Sequence, residues 1–141
     1  MSERNIKAEG SCNCGAIKVS IEGTVARMAQ CHCRDCQRAS GTGHMSLAFI
    51  TEESVRIEGE ARGYVSKTDL GNTMTRYFCP TCGSRVFNRN TGRPGLLSIP
   101  VGILEDRAWY SPDAIVYCRN RDAWDVTDES IPNFDTMPPP A

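Results

Sequence analysis

Eight cysteines constrain this 141-residue chain more than any other feature, and seven of them fall in three short clusters. Cys12 and Cys14 come first, then Cys31, Cys33 and Cys36, then Cys79 and Cys82; only Cys118 stands alone. In a secreted domain such a count suggests disulfides, whereas a reducing compartment favours metal binding or thiol chemistry. The opening MSERNIKAEG has no apolar signal-peptide core, and no run approaches the roughly 20 apolar residues a membrane helix needs. The expected location is therefore cytoplasmic, and the clusters read as soft metal ligands.

Ligand number then becomes a functional argument. Zinc takes thiolate and imidazole in a tetrahedron; a structural site is closed by four protein ligands, and a catalytic one keeps a position open. CPTCG (79–83) has the spacing of a zinc knuckle, with Gly83 where the backbone must turn. It supplies two ligands. SCNCG (11–15), read as extended chain, places Cys12 and Cys14 on one face, so Cys12, Cys14, Cys79 and Cys82 can close a site of four thiolates. Cys31, Cys33 and Cys36 then form an incomplete tetrahedron. A competing arithmetic joins Cys33 and Cys36 to Cys79 and Cys82 as one ribbon, leaving three cysteines without partners and an unusually long separation between the pairs.

Other candidates have simpler expectations. His32, between two ligands in extended chain, points away from their metal. His44, in GTGHMS, either completes the second site, hydrogen-bonds near it or sits half-exposed in a loop. Cys118 alternates with apolar neighbours in IVYCRN and reads as core.

The remainder predicts one domain over 1–141, with a core at about 10–135 and a proline-rich C-terminal tail that docks or trails along the surface. Short alternating segments read as strands: IKVSIEG (17–23), MSLAFIT, SVRIEG, TMTRYFC, SRVFNR, LLSIPVG and AIVYCR, separated by turn-forming stretches. RDCQRAS (34–40), ended by Gly41, is the best helix, and a helical turn is expected near GILEDRAWY. The fold class is all-β. A net charge of −1 and a pI near 6.1 provide no basic field, so neither nucleic acid nor a membrane surface is an expected partner.

GSCNCGAI, CHCRDCQRASG and RYFCPTCGSRVF, in this order and spacing, resemble the glutathione-dependent formaldehyde-activating enzyme (GFA) family, whose domain also occurs in the centromere protein CENP-V. The likeness continues through GILED and RNRDAW; it departs at Ile115, where relatives often carry a histidine. It implies a zinc-bound sandwich of twisted antiparallel sheets with short helical turns, similar to the fold of a Rab-binding exchange factor and chaperone. It implies two zinc ions per chain, a structural one on Cys12, Cys14, Cys79 and Cys82 and a catalytic one on Cys31, Cys33 and Cys36. The implied partners are a glutathione-like thiol and an aldehyde, joined reversibly in a carbon-sulfur lyase reaction. Arg34, Arg38, Lys67, Arg76 and Arg85 are the cations nearest in sequence that could receive glutathione's carboxylates. The alternatives are a protein-binding module with both zincs structural, its second site closed by His44 or Cys118, and a thiol-redox protein using Cys33 and Cys36.

Overall fold

One strand organises the molecule. In the computed structural model, which describes residues 4–138, β2 (Lys18–Cys31) runs for 14 residues and belongs to two sheets. Its first half lies between β1 (Asn5–Ser11) and β4 (Val55–Glu58), both antiparallel. Its second half pairs with β3 (Met45–Thr51), and the path continues through β8 (Leu96–Pro100), β7 (Arg85–Asn90), β6 (Thr73–Phe78) and β5 (Arg62–Lys67). Short β9 (Ala114–Val116) joins the end of β2 in parallel. An irregularity between Val25 and Arg27 marks the passage of β2 from one sheet to the other. The mainly β architecture expected from the sequence is the one that forms.

Burial alternates along β1 and the start of β2, whereas β3, β7 and β8 are buried over three or more consecutive residues. Val19 and Ile21 of β2, Ile6 and Ala8 of β1, Ala48 and Ile50 of β3, Val86 and Phe87 of β7 and Leu97 and Ile99 of β8 share one core, drawn from both sheets. Removing each of the larger aliphatic side chains from water contributes about 1.5–3 kcal/mol. On the other face of the larger sheet, Ala29, Cys31, Leu47, Phe49, Ala114, Val116 and Tyr117 form a second cluster. The cysteine triad sits on this smaller cluster.

The strand expected over 17–23 continues past Gly23 to Cys31 because β1, β3, β4 and β9 all supply partners along its length. β1 begins the core at Ile6, ahead of the expected start near residue 10. β5 has no clear alternation, since nearly all of it is exposed at the sheet edge. The strand read over AIVYCR stops at Val116, and Cys118–Asn120 forms a 3-10 turn. The turn expected near GILEDRAWY occurs only as Val101–Ile103. The tail docks: Cys118 N–H bonds the Phe134 carbonyl at 2.9 Å, and Phe134 and Met137 pack on the second cluster. Its last residues, 139–141, lie outside those described.

The helix α1 (Arg34–Ser40) forms where expected. Cys33 caps its start and Gly41 N–H bonds the Gln37 carbonyl at 2.8 Å at its end. Buried Gln37 ties it down, its amide donating to the carbonyls of His32 (2.9 Å) and Asn120 (3.0 Å).

Candidate functional site

Two loops of similar construction bring four cysteines together. After β1, the Cys12 carbonyl accepts the Gly15 N–H at 3.1 Å and its Sγ accepts the Ile17 N–H at 3.2 Å. After β6, the Cys79 carbonyl accepts the Gly83 N–H at 2.8 Å and its Sγ accepts the Thr81 N–H at 3.4 Å. Gly15 and Gly83 take φ of 83° and 80°, which a residue with a β-carbon adopts only at a cost. SCNCG is thus a turn and not the extended segment expected, and turning is what carries Cys14 round to Cys12. Ser84 links the loops, accepting the Asn13 N–H at 3.0 Å and lying 3.3 Å from Cys82 Sγ.

The sulfurs stand at ligand spacing. Cys14 Sγ is 3.7 Å from those of both Cys12 and Cys79. Four thiolates at about 2.3 Å from one ion lie about 3.8 Å apart at tetrahedral angles. The donors of Cys12, Cys14, Cys79 and Cys82 all fall within 4.8 Å of one another. Proton affinities diverge accordingly. The Ser84 hydroxyl, with the N–H groups of Ser84 and Cys14, holds Cys82 down at about 5. Although the Ala16 N–H draws Cys14 down, burial and the neighbouring sulfurs push it up to about 11. Sulfurs this close cannot all ionise unless a cation joins them.

Cys31, Cys33 and Cys36 form a separate group, also within 4.8 Å. The pairing of Cys33 and Cys36 with Cys79 and Cys82 is therefore not the one that folds. Cys31 ends β2 opposite Met45 of β3, Cys33 caps α1, and Cys36 lies in the helix's first turn with its N–H 3.3 Å from Cys33 Sγ. Hydrogen bonds from the Cys31 and Cys36 thiols, helped by the Cys36 N–H and the charge of Arg76, pull Cys33 down to about 2. The same contacts, with burial, push Cys31 strongly up. For Cys36 the Cys31 contact pulls down, but the Cys33 thiolate and burial prevail and raise it to about 12.

These sulfurs line a cavity of about 710 Å³. Leu47, Phe49, Met45 and Val116 supply apolar wall; Arg27, Arg34, Arg76, Arg93 and Arg119 supply charge, against Asp35 and Asp69. Among the described residues, Arg27, Arg76 and Arg93 have no carboxylate within salt-bridge distance. Arg93 lies over the Phe49 ring at 4.9 Å, and burial pulls its pKa down. Arg76 is buried and donates to Ser66 Oγ at 3.3 Å. A cavity with cations lacking counter-ions and an apolar wall suits an anionic organic ligand.

Of the five cations expected near the site, Arg34 and Arg76 line the cavity. Arg38, Lys67 and Arg85 do not: Lys67 bonds Thr73 Oγ1 across a hairpin at 2.8 Å, and Arg85 donates to the Ala39 carbonyl at 3.1 Å. Arg27, Arg93 and Arg119 were missed because a strand, a hairpin turn and a 3-10 turn far apart in sequence deliver them. Tyr117 was missed too. It is the one non-glycine with positive φ (57°) among the described residues, and its hydroxyl donates to both oxygens of Asp69 at 2.7 and 2.8 Å. The hydrogen bonds tie the β5–β6 turn to the cavity's rim. A bulky side chain held left-handed was the signal, visible only in the backbone.

Neither His44 nor Cys118 lines the cavity. Cys118 is half-buried, 3.5 Å from the Ile115 carbonyl and 3.3 Å from Asn133 Oδ1, and not in the core where it was expected. His32 turns away from the triad, as its position between two ligands suggests, and is fully buried against His44 and Asp125. Ile115 is core.

Comparison with known proteins agrees with this arrangement. A Penicillium rubens protein provisionally named a glutathione-dependent formaldehyde-activating enzyme is 26% identical over 106 residues, covering 72% of this chain and 55% of that protein. An Aspergillus flavus protein of the same provisional name is 24% identical over 104 residues, with 72% and 54% covered. The chain thus spans about half the length of these curated relatives. The crystal structure of a Rhodobacter sphaeroides protein matches with a TM-score of 0.57 and 24% identity over 70% of this chain and 89% of that one, a likeness of fold. The profile of the glutathione-dependent formaldehyde-activating enzymes matches residues 7–120, more than half of the chain and all seven clustered cysteines. This protein belongs to the glutathione-dependent formaldehyde-activating enzyme family.

Proposed function

We infer that the protein is a zinc-dependent carbon-sulfur lyase that joins glutathione, or a similar thiol, to an aldehyde and reverses that addition. The observation that carries this reading is the group of three thiols, with no fourth cysteine beside them among the described residues, in a cavity where Arg27, Arg76 and Arg93 have no carboxylate within salt-bridge distance. Cys12, Cys14, Cys79 and Cys82 would hold a structural zinc. Cys31, Cys33 and Cys36 would hold a catalytic one, with a position left for an incoming ligand. Bound there, zinc supplies the acidity that keeps a coordinated thiol deprotonated near neutral pH.

The chain's own residues bind and orient. Arg27 and Arg93 receive the carboxylates of a thiol such as glutathione, and Arg76 stands close enough to stabilise negative charge on Cys33 and Cys36. Leu47, Phe49 and Val116 keep one wall dry, favouring a small carbonyl compound over water. In the forward direction the substrate sulfur would form a bond to the carbonyl carbon as the carbonyl π bond opens onto oxygen, and that oxygen takes up a proton equivalent to the one the thiol released, giving an S-hydroxymethyl adduct when the aldehyde is formaldehyde. The reverse breaks the same carbon-sulfur bond. A reducing cytoplasm, where free thiols persist, is the compartment this chemistry requires.

The test is calorimetric titration of zinc-loaded protein with glutathione and with S-methylglutathione, which keeps both carboxylates and lacks the free thiol. Binding that needs the free thiol, together with enzyme-accelerated formaldehyde exchange by NMR, supports the reading. Equal binding of both, or exchange no faster than the uncatalysed reaction, sinks it in favour of a binding module.

A further inference from the structure

The chain has two histidines, and the fold brings both to one carboxylate outside the cysteine cavity. His32 Nδ1 lies 3.5 Å and His44 Nδ1 2.7 Å from Asp125 Oδ2, and the two rings are 4.9 Å apart. The three residues come from the link between β2 and α1, the link before β3, and the segment after the last 3-10 turn. One donor atom of each lies within 4.8 Å of the others. The carboxylate is seated against bare backbone at Gly43, where a β-carbon would overlap it.

His32 is what this network fails to satisfy. Its side chain is fully buried, and neither ring nitrogen makes a hydrogen bond among the described residues. An imidazole buried in that condition has lost its water without replacement, which destabilises the fold unless something fills its lone pair. The hydrogen bond between His44 and Asp125 does nothing for it. A divalent ion would, and two imidazoles with one carboxylate form a donor set suited to zinc and its first-row neighbours.

We propose that His32, His44 and Asp125 form a third metal site, for a divalent ion of the zinc type, on the far side of the CHC segment from the cysteine cavity. Binding replaces the hydrogen bond between His44 and Asp125, because 2.7 Å is shorter than the about 3 Å between neighbouring donors on one ion. His44 is 24% exposed, so water can reach the remaining positions. Arg121 lies near enough for its charge to disfavour a second cation, while its guanidinium donates to the Asp125 carbonyl at 2.9 Å. Affinity is therefore lower than at the thiolate centres, and this ion is the first to leave on mild chelation. Its place gives it a consequence: it ties the residue between two thiolates to the segment around Asp125.

Zinc ion alone, titrated into full-length protein whose two cysteine centres are already filled, tests the site. The expected result is a third equivalent by elemental analysis, with His32 and His44 ring resonances shifting together. His44→Gln and Asp125→Asn should each weaken that equivalent at least tenfold and leave the two sulfur-bound ions in place. His44→Gln keeps a hydrogen-bonding group at a partly exposed position, so it serves if Asp125→Asn fails to fold. Saturation of the wild type at two equivalents overturns the proposal, as does a third equivalent that survives His44→Gln unchanged.

Discussion

The two cysteine centres use the same ligand in different surroundings. Cys12, Cys14, Cys79 and Cys82 come from two tight turns cross-linked by Ser84, and Cys12 and Cys79 belong to the main core. Cys31, Cys33 and Cys36 come from a strand end and the first turn of a short helix, and they face a cavity. Four sulfurs suffice for a tetrahedron about one ion; three do not, and the cavity beside them is lined by arginines. On the proposed function, the difference means that ligand number separates a clasp from a reactive centre, and that the cavity wall determines what can reach the latter.

The comparison is broken most forcefully at the clasp. Cys79→Ser should release the ion and unfold the protein, since a structural zinc contributes about 10–16 kcal/mol and a whole domain is stable by only about 5–15 kcal/mol. Circular dichroism with metal analysis checks it; a folded variant carrying one ion fewer would place the structural role elsewhere. Cys33→Ser should instead lose one ion and all acceleration of thiol addition, with a thermal midpoint within a few degrees of wild type. If this variant unfolds as Cys79→Ser does, the two centres are both clasps.

Smaller effects sharpen the contrast. Arg93→Gln removes from the cavity a cation that receives a carboxylate and should raise the KM for glutathione about thirtyfold, equivalent to about 2 kcal/mol and within the 1.5–3 kcal/mol of hydrogen bonds to charged groups. The KM for a neutral thiol such as 2-mercaptoethanol should change less, and equal changes would remove Arg93 from recognition of the anion.

The smallest effect concerns Asp113, just ahead of β9, which accepts the Met28 N–H of β2 at 2.9 Å and the Arg4 guanidinium at 2.7 Å. Burial pushes its carboxyl up, but those bonds outweigh it and hold it below the usual carboxylate range. The folded state thus binds this proton less readily than the unfolded chain does. Its contribution is present above about pH 4 and is lost as pH falls through the depressed folded value. Asp113→Asn should cost about 1 kcal/mol near neutrality and flatten the acid limb of stability against pH, read by urea melts. An unchanged acid limb would assign that loss to other carboxylates.

Much of this was legible in the sequence where the cause is local. The helix over 34–40 follows from a capping residue, a short run of helix formers and Gly41, all within one stretch. The turn at Cys79–Gly83 is equally local. β1 and β5 were not legible: NIKAEGS becomes a strand through its pairing with Lys18–Thr24, and RGYVSK is an exposed edge with no buried face to reveal it. Gly23 reads as a stop, yet β2 passes it because partners on both sides satisfy its backbone.

By itself, then, the sequence determined the donors: seven clustered thiols at spacings that let neighbours reach one ion, because spacing within a few residues sets geometry without help from the rest of the chain. Tertiary structure decided which clusters meet, since Cys14 and Cys79 stand 65 positions apart and come within 3.7 Å only through the sheets between them. It also decided that Arg27, Arg93 and Arg119 share a cavity and that both histidines reach Asp125. Those contacts depend on strand register and chain crossing, which are settled by the burial of two apolar faces at once and by nothing within reach of a single motif.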